Sequence, residues 1–420
     1  MYLYNKIIKH LKQNNTMVRE LKLDIPLEKK VAKQIYDALQ GDVINFVLKN
    51  ADEPSDDDIW RSQMEGHCMK VDEKLLGNFY LLCQDVMKRL DFKDPVDFYI
   101  TGDSSINAFS IFAGKEGTPH IVNVNSELFK LMSEDELRFV IGHELGHLIN
   151  RDTKLKRLIN FVYPPGKIVL PLALKYKIHL HDNLAELVAD RFGYVACGNL
   201  KASVTAFYKM KSGLDLESLK VSIDDLLEDN TKHLEYFKSG GGMSLYDHPV
   251  DPVRVEAIRL FATSLTQDSL ERGMNDLYDI LMRLGNSPMD YHLTFFIATA
   301  GLITANIDGN ITQDEYNHII DNLSRTLFFP KDFLNGVVKQ DVDKIFADSV
   351  NNILKIDPGM RTTLVAYIVR TVMADSNIGE AEVNFVYQFG QDLGLSIKEI
   401  SGIFADMFQM VYTPSLSSIA

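Results

Sequence analysis

The sequence predicts an α+β fold, mostly helical, with a small edge sheet ahead of a long succession of helices and an all-α region at the end. Three observations carry this expectation. Short β-like runs cluster at Val96–Ile100, Asn107–Phe112 and His120–Val124, punctuated by Gly102, Gly114 and Gly117. A strongly marked helix start follows, in which Ser133 as N-cap and Glu136 three residues on form a capping box. Helical periodicity then dominates to the C-terminus, so strands and helices are segregated rather than alternating.

A chain of 420 residues exceeds what one compact core holds, and two or three domains are expected. Residues 1–70 read as helical segments broken by the acidic stretch Ala51–Asp58, and residues 71–265 as the chemical unit. Residues 266–420 read as a helical domain. Leu75, Phe79, Leu82, Val86 and Leu90 recur at helical spacing and predict an amphipathic helix over Leu75–Leu90. Tyr2–Leu11 could form another, and Ser239–Gly242 reads as a mobile loop.

Composition excludes several classes. With 58 acidic against 44 basic residues the net charge is −14, which disfavours nucleic-acid backbones and anionic membranes. The longest uncharged run, between Asp290 and Asp308, carries several Thr and falls short of a spanning helix. The N-terminus lacks the continuous apolar core of a secretory signal. Cys68, Cys83 and Cys197 are odd in number and lack metal-type spacing, as expected of ordinary thiols in a reducing compartment. The expected location is cytoplasmic.

The chemistry sits on the capped helix. His143-Glu144-Leu145-Gly146-His147 matches H-E-x-x-H, and residues four apart share one helix face, so both imidazoles can aim at one ion. A zinc site with three protein ligands keeps a position open for water, and Glu144 beside the first ligand is placed to act as general base. The best third ligand lies in Asn183–Asp190, an apolar stretch carrying Glu186 and Asp190 one turn apart. Buried carboxylates need partners. Zinc for Glu186 and an imidazole N–H for Asp190 would supply them. His179 and His181 are rival ligands, expected on a loop before that helix.

HELGH followed by ELVAD resembles the HtpX-type and Oma-type metallopeptidases, the group that includes the CAAX prenyl proteases. Asn107-Ala108-Phe109 resembles the family's strand bordering the cleft, and His248-Pro249 with Arg254-Val255 resembles its H-P-x-x-x-x-R-I motif. The resemblance covers roughly residues 70–265. It implies a zincin-type domain with an active-site helix and a small edge sheet, one zinc per chain on His143, His147 and Glu186, and Asp190 orienting a ligand. It further implies oxyanion stabilisation by His248 or Arg254, and peptides or proteins as substrates. Many relatives carry transmembrane helices and this sequence shows none, which argues against membrane-bound substrates.

The C-terminal region separately resembles the tellurite-resistance TerB-like helical domain through Asp308-Gly309-Asn310-Ile311 with Glu315. A weaker echo follows 67 residues on, at Asp375 to Ile378 with Glu382. Helix capping is the expected role of these acids, with calcium binding through Asp308, Asn310, Glu315 and Asp375 as the alternative. A loop with Thr304 in the first ligand position is a poor EF-hand. The activity expected of the chain is zinc-dependent peptide hydrolysis. The rival is a non-catalytic zinc-stabilised scaffold, or a metal or stress sensor, acting through a protein partner of the C-terminal domain.

Overall fold

A four-stranded mixed sheet sets the frame of the first half of the chain. In the computed structural model, the described residues are 21–50, 56–114, 117–164, 172–239, 248–282, 288–307, 336–337, 339–373 and 379–412. Helices α1 (Pro26–Ala38), α2 (Gly41–Asn50) and α3 (Asp56–His67) precede the short strand β1 (Met69–Lys70) and helix α4 (Gly77–Arg89). Strands β2 (Val96–Thr101), β3 (Ala108–Ile111) and β4 (His120–Asn125) complete the sheet in the order β1-β2-β4-β3. The central pair β2–β4 is parallel, with Val96 opposite His120, while β1 and β3 pair antiparallel on the outside. Every residue of β4 is buried. Its two asparagines are satisfied locally: Thr101 donates to Asn123 at 2.8 Å, Asn123 to Asn125 at 3.1 Å, and Asn125 to the Ser105 hydroxyl at 2.8 Å.

Helix α4 starts two residues later than the periodicity predicts. Leu76 takes a left-handed conformation (φ 63°) at the cap, leaving Leu75 outside the helix and 53% exposed.

Beyond the sheet come α5 (Ser126–Leu131) and α6 (Glu134–Asn150). The capping box of α6 forms as the sequence predicts, with the Ser133 N–H donating to Glu136 Oε2 at 2.7 Å. Glu136 also accepts from Thr205 Oγ1 at 2.5 Å and from Lys209 Nζ at 2.8 Å, tying the start of α6 to a later helix. Leu137, Val140, Ile141, Leu145 and Leu148 are buried along α6. Phe139, Gly142, His143, Glu144 and Gly146 are buried as well, because the helix runs through the interior of the unit.

Helices α7 (Asp152–Val162), α8 (Leu172–Cys197), α9 (Leu200–Ser212), α10 (Ile223–Lys238), α11 (Asp251–Thr263) and α12 (Gln267–Leu281) follow. Small residues let α6 and α8 meet backbone to backbone. A Cβ on Gly142 would lie 2.4 Å from Ala196 Cβ, and one on Gly146 would lie 2.9 Å from Ala189 Cα. Arg191, 2% exposed, donates to the carbonyls of Lys22 and Asp24 at 3.1 Å and lies over the Phe261 ring. It therefore pins the segment before α1 instead of facing water. His179 and His181 correct the loop expectation: both lie within α8, which continues ten residues N-terminal to Asp182 with no breaking residue in between.

The chain divides into two compact units, and the first extends through Leu281, so that it includes α12. The second is built mainly of residues after Met282. Its described residues form α13 (Pro288–Ala305), α14 (Val342–Ile356), a 3₁₀ turn (Pro358–Met360), α15 (Arg361–Met373), α16 (Glu380–Asp392) and α17 (Ile397–Tyr412). Phe296, Ile353, Leu364, Ile368, Val386 and Ile400 lie in its apolar core. Glu382 caps α16 by accepting the Gly379 N–H at 2.7 Å. Asp308, Asn310, Glu315 and Asp375 lie outside the described residues, as do Tyr2–Leu11 and residues 240–242. No described helix is long and apolar enough to cross a membrane.

Candidate metal centre

Two helices assemble the site. His143 and His147, one turn apart on α6, bring their Nε2 atoms to 3.1 Å from each other. Their rings stand at 89° with centroids 4.7 Å apart. From α8, Glu186 places Oε2 at 3.4 Å from His143 Nε2 and Oε1 at 3.4 Å from His147 Nε2. Donor atoms of these three residues all lie within 4.8 Å of one another, and among the described residues no other His, Cys, Asp or Glu group converges in this way.

The outer nitrogens of both rings are engaged by carboxylates. Asp190, fully buried on α8, accepts from His143 Nδ1 at 2.9 Å. Asp152, at the start of α7, accepts from His147 Nδ1 at 2.7 Å. In the neutral tautomers with the protons on Nδ1, both Nε2 atoms would turn bare lone pairs toward each other and toward Glu186. A cation between them resolves that conflict. Tetrahedral zinc with bonds of about 2.0–2.1 Å separates its ligand atoms by about 3.4 Å, close to the spacings found. The donor set fits zinc.

Charge balance agrees. Glu144, Asp152, Glu186 and Asp190 surround the two rings, with Arg254 as the neighbouring cation. Burial favours a neutral His143, yet Asp190 and Glu186 hold it above its ordinary value. His147 is pushed up to about 10 against the effect of burial, by Asp152, Glu186 and Glu144. Burial would raise Glu186, but Arg254 and His147 hold it well below the usual carboxylate range. The carboxylates thus create a negative potential at both rings, one that a dication would satisfy in place of ring protons.

Around this centre lies a cleft of about 570 Å³. Its walls include Asn107–Ser110 from the edge strand, Glu144 from α6, Phe207 and Met210 from α9, and His248. Strand β3 pairs with β4 on one side, the Asn125 N–H donating to the Asn107 carbonyl at 2.9 Å. Antiparallel alternation therefore turns the backbone groups of Ala108 and Ser110 away from β4, toward an edge that no strand among the described residues pairs with. The Phe109 ring sits 5.5 Å from that of Trp60 on α3.

His248, 63% exposed at the cleft, places Nδ1 at 3.1 Å from Glu186 Oε1. Arg254 on α11 is buried, and its guanidinium grips Asp190 and reaches Glu186 Oε2 at 3.2 Å. The structure thus brings together His143, Glu144, His147, Glu186, Asp190, His248 and Arg254. His181 is engaged elsewhere, its Nε2 3.2 Å from buried Glu28 on α1.

Sequence reasoning missed Asp152. Each metal-binding imidazole needs an acceptor at its outer nitrogen, and the sequence reading supplied one for a single ring. A carboxylate five residues past His147, at the helix end, was the available signal. Gly142 and Gly146 were also missed, although small residues one turn apart beside His143 and His147 signal close helix approach.

A metal-type centre on an H-E-x-x-H helix, completed by a glutamate from a second helix, is the arrangement of the glutamate-type zinc peptidases. Residues 81–178 match the sequence profile of Peptidase family M48, a stretch that includes H-E-x-x-H and ends before Glu186. The chain is 24% identical over 224 residues to the plastoglobule-localized metallopeptidase 48, chloroplastic, of Arabidopsis thaliana, covering 50% of this chain and 64% of that protein. It is 33% identical over 96 residues to a protease HtpX homolog of Thermoplasma volcanium, covering 22% and 29%. A protease HtpX homolog of Trichormus variabilis is 34% identical over 83 residues, covering 20% and 28%. The chain thus spans less than two thirds of the first relative's length and less than a third of the other two. No solved structure matches.

Proposed function

We propose that the chain is a zinc-dependent endopeptidase. The convergence of His143, His147 and Glu186 beside Glu144, in a cleft bounded by an edge strand, carries the reading. The M48 similarity supports it. His143 Nε2, His147 Nε2 and a Glu186 oxygen hold the ion. Bound zinc supplies a Lewis acid that polarises a carbonyl and lowers the pKa of water to about 7.

The chain's own groups do the rest. An extended substrate pairs with the outer edge of β3, using the outward-facing backbone groups of Ala108 and Ser110, and Asn107 and Phe109 fix that strand in the sheet. Glu144 takes the proton of the attacking water and returns it to the leaving amine. His248, exposed at the cleft, donates to the developing oxyanion. Arg254 is already committed to Asp190 and Glu186, so its part is to hold the carboxylates in place. The three free thiols support a reducing, cytoplasmic setting.

The test is hydrolysis of unfolded casein by the purified chain, with elemental analysis alongside. The proposal expects about one zinc per chain, cleavage abolished by a chelator and restored by zinc, and loss of metal in Glu186→Ala with retention in His181→Ala. Full zinc occupancy in Glu186→Ala would remove that residue from the ligand set.

A further inference from the structure

His143 and His147 receive their outer carboxylates differently. Asp190 comes from α8 and is itself neutralised by the two-pronged grip of Arg254. Asp152 comes from the chain just past α6, and its second oxygen, Oδ1, is buried with no hydrogen-bond partner among the described residues. The carboxylate is 11% exposed and lies 2.7 Å from His147 Nδ1. Backbone geometry is built around this contact. Arg151 alone separates α6 from α7 and adopts a left-handed conformation (φ 62°), uncommon for a residue with a side chain. That residue ends one helix and starts the next within a single step, which places Asp152 in the first turn of α7, where its side chain reaches back to His147.

We infer that Asp152 is the positioning residue for His147, accepting Nδ1–H so that Nε2 is presented unprotonated to the metal, and so setting how tightly zinc is held. The inference rests on the zinc reading above. An imidazole free to rotate or exchange tautomers spends part of its time with a proton where the ion must bind. Among the described residues His147 is the partner with which Asp152 forms an ion pair. Glu186, by contrast, shares its charge with Arg254.

A purely structural role is the competing explanation, since an acid in the first turn also favours the α7 dipole. Two substitutions in the full-length chain separate them. Asp152→Ala removes both charge and acceptor, whereas Asp152→Asn removes the charge but keeps an oxygen that accepts Nδ1–H. The readouts are the zinc dissociation constant, from competition with a chromophoric chelator, and the melting temperature of the metal-free protein. Positioning predicts zinc binding about 10–100-fold weaker in Asp152→Ala and most of that loss recovered in Asp152→Asn. Should Asp152→Ala not fold, Asp152→Ser replaces it, because the hydroxyl suits a helix start but is too short to reach the ring. Zinc affinity unchanged in Asp152→Ala, or lowered equally in both variants, would overturn the assignment and leave a helix-end charge. Wild-type protein that takes up no zinc, with His143→Ala behaving identically, would overturn the zinc reading itself and this inference with it.

Discussion

Arg254 clasps Asp190 with two hydrogen bonds, Nε to Oδ2 at 2.9 Å and Nη2 to Oδ1 at 2.6 Å, in a place where Asp190 has no solvent exposure. Burial alone would raise the Asp190 pKa, and the Arg254 charge together with His143 holds it below its ordinary value instead. Arg254→Met should therefore leave an unpaired buried charge and cost about 3–5 kcal/mol. Arg254→Lys should recover little, because an ammonium cannot match the two-pronged geometry. Urea unfolding of the metal-free variants measures both. A loss below about 1 kcal/mol in Arg254→Met would show that the pair is not what holds α8 and α11 together.

Close helix approach gives the second prediction. In an ordinary helix Gly→Ala stabilises by about 1 kcal/mol. Gly142→Ala should instead destabilise by about 1–3 kcal/mol, since the new Cβ would sit 2.4 Å from Ala196 Cβ and 3.0 Å from Gly193 Cα. Pairing it with Ala196→Gly removes the nearer obstacle and should restore part of the loss. Thermal unfolding of the single and double variants decides the matter. Equal losses in both would place the strain elsewhere.

Glu136 yields a pH dependence with a definite sign. Burial would raise its pKa, but Lys209, Thr205 and the Ser133 cap outweigh that and hold it below 4.5. A lowered folded-state pKa gives stability that is complete above the unfolded value and lost as the pH falls through the folded one. Glu136→Gln, which strands the buried Lys209 ammonium, should cost about 3–5 kcal/mol at pH 7. Its deficit relative to wild type should shrink as the pH drops below 4.5. Urea midpoints of both proteins at pH 7 and pH 4 check this, and a constant gap would exclude the ionised pair.

Much of the centre was legible because its signals are local. A capping box and a five-residue motif specify where α6 begins and which face carries the donors. Glu186 and Asp190 betrayed themselves by sitting in an apolar stretch that could not leave them unpaired. Strand positions were visible from composition, but β1, two residues long, carried no pattern to read. The parallel pairing of β2 with β4 is a long-range property that no short window encodes. For the same reason the start of α8 was misplaced. His179 and His181 look like loop residues beside Asp182 and Asn183, yet helix continuity and the Glu28–His181 pair, 153 positions apart in sequence, absorb them. The resemblance offered His248 or Arg254 for the oxyanion, and the hydrogen bonds of Arg254 to Asp190 are visible only in three dimensions.

The most direct measurement concerns Glu144, which lines the cleft beside His143, His147 and Glu186 and is not among the three residues whose donor atoms converge. Glu144→Gln is nearly isosteric, so the variant should fold normally and retain about one zinc per chain. An amide cannot take a proton from the attacking water, and hydrolysis of unfolded casein should fall by about 10²–10⁴-fold. Zinc content and cleavage rate, measured on the same preparations of wild type and variant, give the answer. Retained zinc with lost cleavage is the predicted result. Cleavage that a chelator abolishes but Glu144→Gln leaves unchanged would contradict the account, because the metal would then act without the base assigned to it.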